Sequence, residues 1–210
     1  MKRSFALLFS LVLFGALVAG ATVVRADGSD DDNTTACTTT TPGHQSGENE
    51  SESGHGDSRT IRADRHGGTS SDDNESGTSS SDEMDGKAGD DDMQGEAGDD
   101  DMCGDDGNDT LKGGTGDDHL TGGKGNDDEQ GQQGDDVEQG NAGDDEVDGN
   151  NGDDTLSGGS GHDKISGGAG NDRINARDGQ RDHVKCGTGK DSVRADKSDV
   201  VSKDCEKVSR

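Results

Sequence analysis

The chain has 210 residues, only 22% of them apolar, and its 48 acidic residues outnumber the 20 basic ones to give a net charge of −28. All three aromatic residues, Phe5, Phe9 and Phe14, lie in the first fourteen positions. A conventional packed core is excluded, because such cores take much of their buried area from large side chains. So acidic a chain repels nucleic acid and anionic membranes and attracts cations. We therefore expect the chain to be disordered or to be held together by bound metal.

The N-terminus begins with the basic stretch Met1-Lys2-Arg3, which is followed by an apolar run from Phe5 to about Ala21. This pattern predicts a secretory signal peptide over residues 1–26, with cleavage after Ala26 and, as the alternative, after Ala21. The other interpretation is an uncleaved membrane anchor, for which the run is marginal in length. The signal peptide predicts an extracellular protein with no membrane association after cleavage.

Residues 27–85 consist largely of Ser, Thr, Gly, Asp and Glu, and show neither a helical nor an alternating apolar period. They carry 15 acidic residues against three arginines. We predict a disordered acidic tether that is extended by its own charge repulsion. His44, His55 and His66 recur every eleven residues, which fits either a weak transition-metal site or, as we favour, solvated side chains.

A nine-residue period runs without insertion or deletion through ten copies, over residues 86–175. Positions one and four are Gly in every copy and position six is Asp, as in the copy that runs from Gly113 to Thr121. Position eight is Met, Leu, Val or Ile in eight of the ten copies. Composition alone does not produce such strict positions, so the block is predicted to be a repeat structure.

This pattern resembles the RTX, or haemolysin-type, calcium-binding repeat, Gly-Gly-X-Gly-X-Asp-X-(large apolar)-X. The resemblance implies an all-β fold, a right-handed parallel β-roll solenoid in which two nonapeptides make one coil. In that family the first six residues of each copy form a turn and the last three form a short strand. Several calcium ions lie between turns that stack on the same side of the roll.

The residue chemistry agrees with the resemblance. Gly at positions one and four permits positive φ angles and close backbone approach, while carboxylate and backbone carbonyl oxygens suit a hard cation. The predicted carboxylate ligands are Asp91, Asp100, Asp109, Asp118, Asp127, Asp136, Asp145, Asp154, Asp163 and Asp172. The predicted backbone ligands lie near Gly107, Gly116, Gly125, Gly134, Gly143, Gly152, Gly161 and Gly170.

The repeat block carries 26 acidic residues against five basic ones, so its stacked turns should repel one another without cations. The apolar side chains at position eight are too few to offset this repulsion and the entropy of ordering the chain. Folding is therefore expected to require calcium. The position-five aspartates are either further ligands or, as we favour, solvent-facing charges; they are Asp90, Asp99, Asp117, Asp135, Asp144 and Asp153.

Two copies depart from the pattern, with Glu129 and Glu138 at the apolar position eight. In an eighteen-residue coil these side chains would face each other inside the roll. Such a placement is costly unless the carboxylates are solvated, protonated or bound to metal. The roll is expected to be weak at this point.

After residue 175 the register slips, and Cys186-Gly187-Thr188-Gly189-Lys190-Asp191 restates the repeat with Cys first. Residues 176–210 resemble the closing unit of secreted actinobacterial calcium-binding proteins and are predicted to be a degenerate repeat and cap. An exported chain with an even number of cysteines makes Cys186 and Cys205 a candidate disulfide. Four cysteines allow three pairings, which leaves Cys37 open and Cys103 either paired or a free thiol.

The function predicted from the sequence is that of a secreted calcium-binding protein. One alternative is a cell-wall or surface structural or adhesive protein that calcium stiffens, with an unknown partner. Another is an acidic mineral-binding chain, against which the strict Gly and Asp positions argue. We expect no enzymatic activity, because the sequence contains neither His-Glu-X-X-His nor Gly-X-Ser-X-Gly.

Overall fold

The computed structural model describes residues 66–210. The predicted signal peptide, most of the predicted tether, and His44 and His55 lie outside the described residues. Within residues 66–210 every regular element is a β-strand, and no helix is present that could cross a membrane.

Seventeen strands follow one another along the described chain. They are β1 His66–Gly67, β2 Asn74–Ser76, β3 Glu83–Asp85, β4 Asp92–Ala97, β5 Asp101–Asp106, β6 Thr110–Thr115, β7 His119–Lys124, β8 Asp128–Gln133, β9 Val137–Ala142, β10 Glu146–Asn151, β11 Thr155–Ser160, β12 Lys164–Ala169, β13 Arg173–Ala176, β14 His183–Thr188, β15 Ser192–Ala195, β16 Val200–Val201 and β17 Lys207–Ser209.

The strands form two parallel sheets, one with the nine odd-numbered strands and one with the eight even-numbered strands. Each strand pairs with the strand two places along the chain, so that Leu120 lies opposite Glu138 and Glu138 lies opposite Leu156. Partners in the repeat block are therefore eighteen residues apart, which is two copies per coil. The predicted all-β parallel solenoid is confirmed.

The strands are longer than the resemblance implies. Strand β7 runs from position seven of one copy to position three of the next, and only positions four to six form the turn. The expected three-residue strand is wrong because the pairing continues into the next copy: the Gly125 N–H donates to the Ala142 carbonyl over 2.8 Å. Each coil from β4 to β12 therefore consists of two six-residue strands and two tight turns, and the strands are shorter toward both ends.

The interior follows the alternation of side chains along each strand. Around β7, Asp118, Leu120 and Gly122 are buried while His119 is exposed, so positions six, eight and one face inward. The apolar interior is divided in two. The N-terminal core consists of Met84, Met93, Met102, Leu111 and Leu120. The C-terminal core consists of Val147, Leu156, Ile165, Ile174, Ala176, Val184, Cys186, Val193 and Ala195.

The solenoid extends further toward the N-terminus than the predicted repeat block. Residues 68–85 form two additional copies in the same register, with β2 paired to β4 and β3 paired to β5. Their position-four residues are Ser71 and Ser80 instead of Gly, which conceals them from a search for the strict pattern. Strand structure thus begins within the segment predicted to be a tether, at His66.

The C-terminal end absorbs the register slip and is covalently closed. The Asp163 N–H donates to Oδ1 of Asp182, nineteen residues later, so one extra residue fits into this coil. The predicted Cys186–Cys205 disulfide is confirmed. Cys103 is also disulfide-bonded and is only 4% exposed, so its interpretation as a free thiol is wrong. Cys37 lies outside the described residues.

Candidate metal centre

The position-six aspartates form a continuous hydrogen-bonded row along each of the two edges of the roll. We call these two rows together the inner column. The backbone N–H of Asp118 donates to Oδ1 of Asp136 over 2.8 Å, and that of Asp136 donates to Oδ1 of Asp154 over 2.9 Å. The same bond recurs from Asp73 N–H at one end to Asp182 N–H at the other. Stacking of the coils therefore fixes one oxygen of each carboxylate.

The second oxygen of the inner-column carboxylates from Asp91 to Asp191 has no partner. These Oδ2 atoms are buried and accept no hydrogen bond from the described residues. A buried carboxylate oxygen without a partner is costly, so each turn fits a cation that such an oxygen can bind. The atoms belong to Asp91, Asp100, Asp109, Asp118, Asp127, Asp136, Asp145, Asp154, Asp163 and Asp172, which are all ten predicted carboxylates, and to Asp182 and Asp191.

The position-one glycines leave room for these oxygens. A Cβ placed on Gly131 would lie 2.3 Å from Oδ2 of Asp136, so no larger residue fits beside the carboxylate. The expectation of a positive φ at position one is wrong. Positive φ angles fall instead at position two, as at Gln132 with 78°, and at position four, as at Gly134 with 137°. Position one requires Gly because of space, not backbone conformation.

The position-four glycines stack directly upon one another. A Cβ on Gly134 would lie 1.7 Å from the Gly116 carbonyl oxygen, and one on Gly152 would lie 1.6 Å from that of Gly134. Within the described chain no N–H donates to these two carbonyl oxygens. The predicted backbone ligands, Gly107 to Gly170, thus belong to columns of closely stacked turns beside the inner-column carboxylates.

A cation in these turns would need oxygens from both the side chains and the backbone. Among residues 66–210 no three side chains of His, Cys, Asp or Glu converge to form a cage of their own. Carboxylates from successive coils together with carbonyl oxygens make an all-oxygen donor set. Hard cations with six to eight oxygen ligands, such as calcium, prefer this set, whereas zinc sites favour nitrogen and sulphur.

The electrostatics of the inner column also favour a cation. Burial, together with neighbouring carboxylates, raises the pKa of Asp118 and Asp154 from 3.8 to about 7, against the lowering effect of the backbone N–H that each accepts. Burial likewise raises the pKa of Asp136 to about 6. Full ionisation at neutral pH is therefore unfavourable until positive charge enters the turns.

The position-five side chains form a second column on the outside of the turns, which we call the outer column. Here the bond runs in the opposite direction: the N–H of Asp135 donates to Oδ1 of Asp117 over 2.9 Å, and that of Asp153 donates to Oδ1 of Asp135 over 2.8 Å. These residues are exposed. Asn126 accepts the N–H of Asp144 in the same way. The outer column thus orders the turns, a role that sequence reasoning missed.

Several members of the inner column lie outside the predicted ligand set. Asp73 and Asp82 precede it, in register with Gly68 and Gly77, and Asp182 and Asp191 follow it. Asp73 and Asp82 could have been found from the sequence, because they continue the nine-residue spacing back from Asp91. The inner column ends at Glu206, whose Oε2 accepts the Asp191 N–H over 2.9 Å.

Comparison with protein families identifies the repeats. The sequence model for the RTX calcium-binding nonapeptide repeat matches four overlapping segments of the chain, at residues 76–111, 104–138, 130–165 and 148–180. The matched region includes the copy at Gly77 that the strict pattern leaves out. Comparison with curated proteins finds no match.

Proposed function

Because this chain belongs to the RTX calcium-binding nonapeptide repeat family and is a calcium-binding protein with several ion sites, we propose that it is secreted and that its repeats fold when calcium binds. The observation that carries the proposal is the inner column, in which each carboxylate from Asp91 to Asp191 has one oxygen fixed by an N–H of the preceding coil and one buried oxygen without a partner. Calcium would neutralise these oxygens and so remove the main obstacle to stacking the coils.

We assign the carboxylate ligands to the inner-column aspartates from Asp91 to Asp172 and the backbone ligands to the turns from Gly107 to Gly170. Each ion would be shared by copies two apart in sequence, since these copies stack on the same edge. The neighbouring copy with Asp182 has the same arrangement and extends the set. The outer column is left out, because its exposed carboxylates already accept backbone N–H groups.

An extracellular location agrees with the apolar run that follows Lys2 and Arg3 and with the secreted proteins in which these repeats typically occur. Extracellular calcium would then supply the ion. The repeat family binds ions and has no catalytic role of its own, and the acidic charge of the chain is unsuited to nucleic acid. Retention at a cell wall or surface is the alternative, and fractionation of the producing cells separates the two.

The test is a calcium titration followed by circular dichroism, with magnesium as the comparison ion. We expect a cooperative gain of β signal with calcium only. Changing Asp118, Asp136 and Asp154 to Asn should raise the midpoint calcium concentration by at least about tenfold, since ligand charge sets calcium affinity. The Asn side chain keeps the acceptor oxygen and removes only the charge.

The matched control changes the adjacent outer residues Asp117, Asp135 and Asp153 to Asn. The net charge changes equally, and Asn126 already serves as an outer-column acceptor. We expect a shift of no more than about twofold, as for exposed substitutions in general. Equal shifts in the two variants would contradict the ligand assignment, and a spectrum unresponsive to calcium would contradict the proposed function.

A further inference from the structure

The interior of the roll contains three carboxylates that the turn sites do not explain: Glu75 in the first coil, and the adjacent pair Glu129 and Glu138. Glu129 in β8 and Glu138 in β9 occupy position eight and are fully buried. In one sheet Glu129 lies between Leu111 and Val147. In the other sheet Glu138 lies between Leu120 and Leu156. The pair therefore separates the N-terminal core from the C-terminal core.

No group in the described part of the chain neutralises this pair. All four carboxylate oxygens are buried without a hydrogen-bond partner, whereas each aspartate of the inner column has one oxygen satisfied. The charged groups that act on Glu129 are Glu138, Asp145 and Asp127, all acidic. Those that act on Glu138 are Asp136, Asp154 and Asp148, which are also acidic. The backbone N–H groups of Gly122 and Gly131 lower the pKa of Glu129 and Glu138, but burial raises it well above 4.5. The pair must therefore be protonated or receive a counter-charge.

The pair lies close to another unpartnered oxygen. A Cβ placed on Gly131 would lie 2.3 Å from Oδ2 of Asp136 and 2.5 Å from Oε1 of Glu138, so these two oxygens are at most 4.8 Å apart. At Gly140, the next position-one glycine, the corresponding neighbours are Oδ2 of Asp145 and a backbone carbonyl. Glu138 thus brings an additional carboxylate to this coil from the inside of the roll.

We propose that Glu129 and Glu138 bind one divalent cation inside the roll, at a site separate from those in the turns. The donors are all oxygens, which selects a hard cation such as calcium. Two carboxylates and one divalent ion are together neutral, so the site replaces the missing apolar layer between the two cores. The proposal rests on the proposed function in one respect, since the interior forms only when the coils stack.

The test counts the calcium ions on the folded full chain by native mass spectrometry at saturating calcium. The variants are E129L/E138L, which continues the apolar interior, and E129Q/E138Q, which keeps the shape and removes the charge. The control is E146Q/D101N, which removes two exposed carboxylates from the outer faces of β10 and β5. We expect both interior variants to bind one ion fewer than the wild type and the control.

The same ion count in the wild type and in a folded E129L/E138L chain would overturn the proposal and show that the interior carboxyls are neutral by protonation. If the Gln variant does not fold, the Leu variant decides, because its side chains match the Leu residues of the adjacent strands. Failure of the proposed function has a different signature: the wild type itself would bind no calcium and gain no β signal.

Discussion

The two halves of the roll, which lie before and after the buried pair Glu129 and Glu138, have the same turns and different interiors. The N-terminal core has five side chains, three of them Met, and its first coil places Glu75 at the other apolar position beside Met84. The C-terminal core has nine, mostly branched aliphatic residues, and ends at the Cys186–Cys205 disulfide. Since the inner column is continuous through both halves, the difference separates what the turns contribute from what apolar packing contributes.

The halves also differ at position two, where the backbone has a positive φ. In the N-terminal half this position holds Lys87, Glu96 and Asp105, with φ between 68° and 76°, and then Gly114 and Gly123. In the C-terminal half it holds Asn141 and Asn150, a residue type that tolerates the left-handed region, and then Gly159, Gly168 and Gly187. A residue with a Cβ pays roughly 1 to 2 kcal/mol in the left-handed region. Both differences predict that the C-terminal half folds at lower calcium than the N-terminal half.

The largest expected effect is that of pH, and it should act on both halves alike. Burial raises the pKa of Asp91 in the N-terminal half and of Asp154 in the C-terminal half from 3.8 to about 7. Because the folded state of the metal-free chain binds protons more tightly than the unfolded state, this stabilisation is complete below about pH 4 and is lost as the pH rises through about 7. Calcium requires the ionised form, so its effect has the opposite sign.

In calcium-free buffer we therefore expect β signal to increase as the pH falls from 7.5 to 4.5. With calcium present, the midpoint calcium concentration should fall as the pH rises from 5 to 7.5. Circular dichroism measures both, and hydrogen exchange reports the halves separately. A metal-free chain that remains a coil at pH 4.5 would show that raised carboxyl pKa values do not limit folding.

The next effect sharpens the difference between the cores. Replacing Ile165 by Ala removes a buried side chain that lies between Val147 and Val184. Such truncations cost about 2 to 5 kcal/mol. Met93 in the N-terminal core lies between Glu75 and Leu111, and Met93→Ala is expected at the lower end of that range because Met fills space flexibly. Urea unfolding at saturating calcium compares the two variants.

Hydrogen exchange under the same conditions assigns each loss to a half of the roll. Ile165→Ala should increase exchange in β10, β12 and β14, and Met93→Ala should increase it in β2, β4 and β6. If the two substitutions cost the same, the branched residues confer no advantage on the C-terminal core, and its greater stability would have to come from the closed end.

The resemblance of the nine-residue period to the RTX repeat predicted the solenoid and its two copies per coil, and the recurring identities indicated the aspartates of position six and the inward position eight. The sequence did not predict the role of Asp135 or Asn126 in the outer column, since their partners lie eighteen residues away and become visible only when coils stack. It placed the first turn too late because Ser71 and Ser80 fill a position at which Gly is common but not required. The left-handed backbone at Glu96 could not be predicted either, because a repeat period identifies residue positions and not backbone dihedral angles.

The smallest expected effect tests the strain of this left-handed backbone directly. Glu96 has a φ of 76° and its side chain is exposed, with a 3.5 Å hydrogen bond from Ser76 as its contact. Glu96→Gly should relieve roughly 1 to 2 kcal/mol of backbone strain and lose about 0.4 to 1 kcal/mol through the greater entropy of the unfolded chain. The net result is a stabilisation of less than about 2 kcal/mol, seen as a lower calcium midpoint for the N-terminal half.

The matched substitution in the other half should have the opposite sign. Gly168 has a φ of 98°, and a Cβ there would lie 2.1 Å from the Asn150 carbonyl oxygen, so Gly168→Ala must destabilise. If Glu96→Gly also destabilises, the left-handed backbone at position two carries no strain in the N-terminal half. The earlier folding of the C-terminal half would then depend on its core and its disulfide alone, since position two would no longer distinguish the halves.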